Sequence, residues 1–301
     1  MATPANLLDN TRLAADRTPA ATDASHTDAL RREHYLIERE LAHRLRNASR
    51  AERRTLYTEL YNELFRRFPQ HPQFINKESP ERRARRTREA MSLLGRFLSK
   101  DNTFLEVGPG DCALSFHVAR QVKFVYGVDV SSEITRSVVT PPNFRLCISD
   151  GTSIPADPGS VDVVYSNQLM EHLHPDDALE QLQNIRRALA RDGIYICITP
   201  SRLTGPHDVS RYFDPVATGF HLKEYTATEL AKLFKQVGFR KIRVAIGARG
   251  IFLWIPVWVL WPIERLVEAL PARMRRRVAR SAAFRRILGV RMRATNGGLP
   301  S

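Results

Sequence analysis

Cysteine is scarce in this chain: three residues among 301, Cys112, Cys147 and Cys197, widely spaced and never arranged as C-x-x-C. An odd, dispersed set excludes a disulfide framework and a thiolate metal cluster. All three fall in predicted core elements, as buried free thiols in a reducing compartment would. No metal site is expected. Long apolar runs are also missing: the longest, Ile251 to Ile263, falls short of the ~20 residues that a spanning helix needs and carries Pro256 and Pro262. The first residues lack a basic start followed by an apolar run, so no secretory signal is predicted and a cytoplasmic location is expected. Acidic residues nearly vanish near the end, where Arg265 to Arg293 holds ten arginines against one acid, Glu268.

What charge there is sits unevenly. The formal net charge is +14. Counting Lys+Arg against Asp+Glu, residues 31–100 carry 18 and 9, residues 101–240 carry 13 and 17, and residues 241–301 carry 13 and 2. The centre is mildly acidic and the basic excess lies in its flanks. Such flanks suit an anionic surface, a membrane or a nucleic acid, separable from the central chemistry.

Residues 1–27, rich in Ala, Thr, Asp and Pro, have no sustained period and read as a flexible leader. Residues 28–99 read as a helical extension. Leu30, Ile37, Leu41 and Leu45 mark one stripe, and Leu56, Leu60, Leu64 and Phe65 mark a second, stopped by Pro69 and Pro72. A third helix is expected from Pro80 to Ser99, with its Arg82–Arg88 run in solvent. Strand and helix then alternate over 100–246. Strands are predicted at Phe104–Val107, Phe124–Val130, Phe144–Ser149, Val161–Ser166, Ile194–Thr199 and Arg240–Ile246. Helices fall at Leu114–Arg120, from near Ser131, at Asp177–Ala190 with Gly193 as its stop, and at Thr226–Val237 before Gly238. Alternation with continuously apolar strands predicts an α/β fold: a Rossmann-like, doubly wound, mostly parallel sheet covered on both faces. Residues 247–301 are read as an apolar, then Arg-rich helical tail.

In such a sheet, ligands bind outside the carboxyl ends of the strands. Three strand ends carry polar signals here. The first is the turn Glu106-Val-Gly108-Pro-Gly110-Asp111, whose glycines let the backbone bend sharply beside a ligand. A phosphate would suit the helix start that follows, but Glu106 and Asp111 add negative charge and favour a positively charged ligand without phosphate. The second is Asp129, about twenty residues on, able to accept from both ribose hydroxyls, with Val130 beside it. The third is Asp150-Gly151, a carboxylate to accept from an adenine amino group and a glycine that leaves room for the ring. Gly108 to Ala113 also fits the G-x-G-x-x-A variant of a dinucleotide fingerprint, so a nicotinamide cofactor is the rival reading.

Taken together, Glu106-Val-Gly108-Pro-Gly110, Asp129 and Asp150-Gly151 resemble the class I S-adenosylmethionine-dependent methyltransferases. The segment Val161 to Leu173 is similar to that superfamily's fourth strand and following loop, placing Asn167 at the cofactor. Leu182–Pro200 and Tyr225–Phe239 are similar to its later units. The resemblance covers roughly residues 100–246 and implies S-adenosylmethionine as cofactor, with Glu106 near the sulfonium or amino group. It also implies a strand inserted antiparallel near the sheet edge, for which 240–246 is the expected segment. Cys112 stands where the family often has a third glycine.

Methyl transfer to a hydroxyl needs a proton acceptor. Candidates follow strands four and five: His172 beside Glu171, then His207-Asp208 and His221 within the insert Ser201–Glu224, which also carries Arg202, Arg211, Tyr212 and Phe213. His207 beside Asp208 is the first choice. No Asn-Pro-Pro-Tyr follows strand four, against DNA N-methylation. The apolar run 251–263 holds all three tryptophans and precedes the arginines, a pattern for in-plane attachment to an anionic membrane. The expected activity is therefore methyl transfer to a small or lipid-linked acceptor, with a hydroxyl as the expected acceptor group, on the inner membrane face through residues 251–293. An RNA methyltransferase using the basic flanks is the alternative enzyme. A binding or scaffold protein that keeps the fold without catalysis is the alternative outside enzymes.

Overall fold

The computed structural model describes residues 21–70, 80–130, 139–248 and 250–297. One sheet of eight strands organises them: β1 Thr103–Val107, β2 Phe124–Asp129, β3 Phe144–Ile148, β4 Val161–Asn167, β5 Leu189–Thr199, β6 Arg240–Ala248, β7 Ile251–Pro256 and β8 Val290–Thr295, in the order β3-β2-β1-β4-β5-β8-β6-β7. Strands β3 to β5 pair in parallel, β8 runs antiparallel between β5 and β6, and β7 closes the edge antiparallel to β6. Strand order reverses between β1 and β4, which puts the ligand crevice outside the ends of β1, β2 and β4.

The helices are α1 Ala21–Asn47, α2 Arg50–Arg67, α3 Pro80–Leu94, α4 Ala113–Val118, α5 Pro175–Ala188, α6 Ala227–Val237, α7 Trp261–Ala269, α8 Ala272–Arg280 and α9 Ala282–Leu288. On one face, Leu41, Leu45, Leu60 and Leu64 of α1 and α2 join Leu182, Ile185, Leu230 and Phe234 over Leu105, Val164 and Tyr195. On the other, α3 and α4 pack Leu93, Leu94, Leu114 and Val118 onto Phe104, Val163, Tyr165 and Ile196. The alternation of side chains along each strand sends neighbours to opposite cores. Local signals fix several boundaries. Ser49 and Glu52 form a capping box on α2, Thr226 and Glu229 another on α6, and Gly238 ends α6 at φ 100°.

The structure departs from the expectations in several places. Helix α1 starts at Ala21, inside the segment read as a leader; residues 1–20 and the helix expected near Ser131 lie outside the described residues. Helix α5 ends at Ala188, and Gly193 lies within β5. The Asn296 amide supplies the missing stop by donating to the carbonyls of Leu189 and Ala190 at 2.8 and 3.2 Å.

The sheet also runs past the expected boundary at 246. The strand inserted antiparallel beside β5 is β8, from the arginine-rich tail, and not 240–246. Its alternation Val290, Met292, Ala294 buries every second residue, and Arg291 and Arg293 point to the other side. The apolar run is likewise divided. Trp254, Val257 and Leu260 are buried, whereas Trp258 and Trp261 are 74% and 56% exposed. Glu264 of α7 is buried and accepts from the free amides of Ala227 and Thr228 at 2.8 and 3.2 Å, which docks the tail on the positive end of α6. No helix among the described residues is long and apolar enough to cross a membrane.

Candidate active site

The glycine turn sits where β1 hands over to α4. Gly108 and Gly110 have φ of 71° and 53°, and Cys112 shares the left-handed region at 55°. The position where a third glycine was expected does require a glycine-like backbone, and cysteine meets it with a small, fully buried side chain. A Cβ at Gly110 would meet nothing within 4 Å, so the turn opens on free space. At Gly108 it would press on Leu169, in the loop after β4, at 3.3 Å. The Gly110 amide points to Asp129 Oδ2 at 3.4 Å, joining the first two strand ends.

The negative flank read from the sequence is muted by its neighbours. Asp111 lies 3.1 Å from Arg83 Nε and 2.9 Å from Arg86 Nη2, so arginines expected in solvent on α3 neutralise it. Glu106 is buried and accepts from the Ser115 hydroxyl. Burial is the main cause that pushes its pKa up to about 8, with the Asp111 charge adding to the rise.

Helix α2 covers the other two strand ends. Thr58 Oγ1 donates to the Val130 carbonyl at 2.9 Å, Arg54 stands 3.5 Å from Asp150, and a Cβ at Gly151 would strike the Tyr57 ring at 2.9 Å. The room expected at Gly151 is therefore filled by Tyr57. Asp150 Oδ1 accepts from the amides of Thr152 and Ser153 at 3.0 and 2.8 Å, which lowers its pKa despite the larger opposing effect of burial. Asn167 ends β4 and lines a cavity of about 290 Å³ with Tyr165, Arg86, Phe252 and Arg291.

Of the proton-transfer candidates, two come together and two do not. His207 Nε2 meets Thr204 Oγ1 at 3.0 Å and the Ser201 carbonyl at 3.2 Å. Its neighbour Asp208 turns away to accept from the amides of Ser210 and Gly219 at 3.1 and 2.9 Å, holding the insert's fold. The pair expected at 207–208 is thus split, because a turn start recruits the aspartate as its cap.

His172 and His221 instead meet around Glu171, with ring centroids 4.9 Å apart. His221 Nδ1 faces Glu224 Oε1 at 2.8 Å, and His172 Nδ1 faces the Phe220 carbonyl at 3.0 Å. Both partners only accept, so Nδ1 carries the proton on each ring and Nε2 is left as the basic nitrogen. Glu171 is fully buried; Oε2 accepts from Thr199 Oγ1 at 2.8 Å, and Oε1 has no hydrogen-bond partner. Burial lifts the Glu171 pKa to about 7 and drops that of His172 to about 3, while Glu224 and Glu171 raise His221 against its burial. One ligand atom from each of Glu171, His172 and His221 lies within 4.8 Å of the others.

The N-terminal helices build the wall above this cluster. Tyr61 stacks on Phe220 at 4.9 Å and edges His172 at 6.2 Å. Burial keeps its phenol protonated, helped by the charges of Glu38, Glu171 and Asp129. One ring thus feels both the second strand end and the histidine cluster. Arg46 of α1 donates to the carbonyls of Thr218, Gly219 and His221 at 3.0, 3.1 and 3.1 Å, clamping the insert from across the chain. Arg46, Tyr61 and Glu224 carry no local motif, and sequence reading misses them. The only signal for Glu224 is its spacing three residues after His221.

Comparison with known proteins agrees with this architecture. Residues 78–244 match the family described as "Methyltransferase domain". No curated protein matches the sequence. Among solved structures, the chain is similar to one from the complex between the Haloferax volcanii Trm112 methyltransferase activator and a methyltransferase, with 16% identity, 71% of this chain and 92% of that chain covered, and a TM-score of 0.51. It is also similar to Haemonchus contortus phosphoethanolamine N-methyltransferase 1 in complex with phosphoethanolamine and S-adenosylhomocysteine, with 15% identity, 84% of this chain and 51% of that chain covered, and a TM-score of 0.51. At these identities the likeness is one of fold. With a family match over more than half its length and the matching sheet order, the chain belongs to the methyltransferase domain family and is a class I S-adenosylmethionine-dependent methyltransferase.

Proposed function

We propose that this enzyme methylates a hydroxyl of a small or lipid-linked acceptor at an anionic membrane surface. The observation that carries the reading is the buried Glu171–His172–His221 cluster, beside the switch point and under Tyr61. Such a group serves an acceptor that must lose a proton to attack, as a hydroxyl does.

The strand ends fit the methyl donor, whose sulfonium supplies the methyl group. The open space at Gly110 and the Asp129 carboxylate beside it form the cradle, with the nearby arginines Arg83 and Arg86 engaged by Asp111. In this reading Asp129 accepts from the ribose hydroxyls, and Val130 and Asp150 flank the adenine, with Tyr57 occupying the space at Gly151. Gly108, Gly110, Glu106, Asp111 and Asn167 hold the methionine end. Glu106 is poised to ionise against positive charge, and its burial strengthens that attraction. The insert, with α1 and α2, closes the acceptor side and keeps water out.

The membrane part of the reading rests on the tail. Trp258 and Trp261 stand out of the surface beside a cavity of about 340 Å³ that Lys232, Lys235, Arg240 and Lys241 also line. Leu253 and Leu266 are exposed at 68% and 66%. Aromatic rings with cations around them suit the headgroup layer of an acidic bilayer. In this reading the sheet, including β7 and β8 from beyond residue 246, carries the cofactor chemistry, the N-terminal helices form the wall, and the exposed part of 247–301 serves attachment.

The test uses S-adenosylmethionine labelled in its methyl group, incubated with the enzyme and separated fractions of cell extract. Label should enter base-stable material in the lipid or small-metabolite fraction. Label confined to RNA overturns the reading.

A further inference from the structure

We propose that Glu171, His172 and His221 form a binding site for a divalent first-row transition metal ion, with zinc as the matching probe. This deepens the acceptor reading above and rests on it for the ion's use, though not for its binding. Three features beyond mere proximity point to a ligand.

The first is the donor set. Two imidazoles and one carboxylate are a ligand trio that leaves a coordination position open. A point equidistant from three atoms 4.8 Å apart lies at most about 2.8 Å from each. Shifts of roughly 0.7 Å would then give bonds of ~2.0–2.2 Å. Rotation of two rings and one carboxylate supplies that much.

The second is orientation. Each histidine gives its Nδ1–H to a fixed acceptor, Glu224 Oε1 for His221 at 2.8 Å and the Phe220 carbonyl for His172 at 3.0 Å. Metal-binding histidines are oriented in this way, by a carboxylate or a backbone carbonyl behind the ring. Glu171 is oriented too, by Thr199 Oγ1 at 2.8 Å. Glu224 is itself held by the His207 amide at 2.7 Å, so the supporting layer reaches back into the insert.

The third is an unpaid cost. Glu171 is 0% exposed and its Oε1 has no hydrogen-bond partner. A buried carboxylate oxygen without a partner is penalised by its lost hydration. A cation taking Oε1 as a ligand, with the Nε2 atoms that the Nδ1 bonds leave as donors, would remove that penalty, and imidazole donors select zinc-like ions over magnesium. The fourth position would take the acceptor's hydroxyl oxygen. Bound there, the hydroxyl would lose its proton to solvent as the acceptor enters, before water is excluded, and the oxygen–carbon bond forms as the donor's sulfur–carbon bond breaks.

Calorimetric titration of the chelator-stripped full chain with zinc chloride, and separately with magnesium chloride, tests the site. One zinc per chain is expected, with much weaker magnesium binding. Glu171→Gln and His221→Gln should abolish that zinc, and Glu224→Gln should weaken it by about 10- to 100-fold. His43→Gln, at an exposed position, should change nothing. X-ray absorption of the zinc-loaded wild type should show imidazole and oxygen scatterers without sulfur, which decides the matter even if a variant misfolds. No zinc binding, sulfur in the first shell, or equal binding in Glu171→Gln overturns the proposal. Titration with S-adenosylhomocysteine in the same samples separates this outcome from the methyl-transfer reading, since cofactor binding does not depend on the ion.

Discussion

Arg53 and Asp177 form a buried two-pronged ion pair, Nε to Oδ2 at 2.6 Å and Nη2 to Oδ1 at 2.8 Å, with Tyr57 donating to the same carboxylate at 2.7 Å. The two residues are 124 positions apart, and the contact ties α2 to α5 over the nucleotide strand ends. Removing one partner strands a buried charge. Arg53→Ala should therefore lose about 3–5 kcal/mol of stability, read by chemical denaturation. The double replacement Arg53→Met with Asp177→Leu should lose clearly less. Equal losses would show that the pair itself is not the source.

Glu106 sets a pH dependence. Its folded pKa of about 8 stands above the unfolded carboxylate value. A raised acid contributes stability that is present below the unfolded pKa and is lost as pH rises through the folded pKa. The ligand-free enzyme should thus lose melting temperature between about pH 5 and 8, a trend that Glu106→Gln flattens. In wild type, S-adenosylmethionine should bind more tightly as pH rises through the same window, with proton release visible as a buffer-dependent binding enthalpy.

Arg46 predicts the mobility of the insert. Its three carbonyl partners span Thr218 to His221. Arg46→Met should speed amide hydrogen exchange there, with a loss on the order of 1.5–3 kcal/mol for charge-assisted bonds. S-adenosylhomocysteine affinity should stay within about twofold.

The two outer tryptophans test the membrane reading. Replacing Trp258 and Trp261 with Ser removes exposed surface and leaves Trp254 in the core. Co-sedimentation with vesicles containing acidic lipid should drop at least tenfold, with the melting temperature changed by only a few degrees. Undiminished sedimentation would place attachment elsewhere.

The sheet was legible because its signals are local. Val-Tyr-Gly-Val-Asp129 and Leu-Cys-Ile-Ser-Asp150 announce a strand and its polar end within a few residues, and Gly238 stops α6 as its sequence says. Strand β8 was hidden by counting arginines. Val-Arg-Met-Arg-Ala-Thr alternates with period two, yet its partner β5 lies about 95 positions away. The candidate site divides in the same way. The carboxylates at strand ends follow from spacing, whereas Glu171, Thr199, His221 and Glu224 meet only through the fold. His207-Asp208 looked like a pair because the two are adjacent in sequence, and a cap then claimed the aspartate.

The central claim is that acceptor chemistry occurs at Glu171, His172 and His221, apart from the cofactor cradle. Its most direct test compares wild type with Glu171→Gln for transfer of labelled methyl to the wild-type product fraction and for S-adenosylhomocysteine binding by calorimetry. The account predicts binding within about threefold of wild type and transfer reduced by ~10²–10⁴-fold. Transfer at the wild-type rate in Glu171→Gln would contradict it.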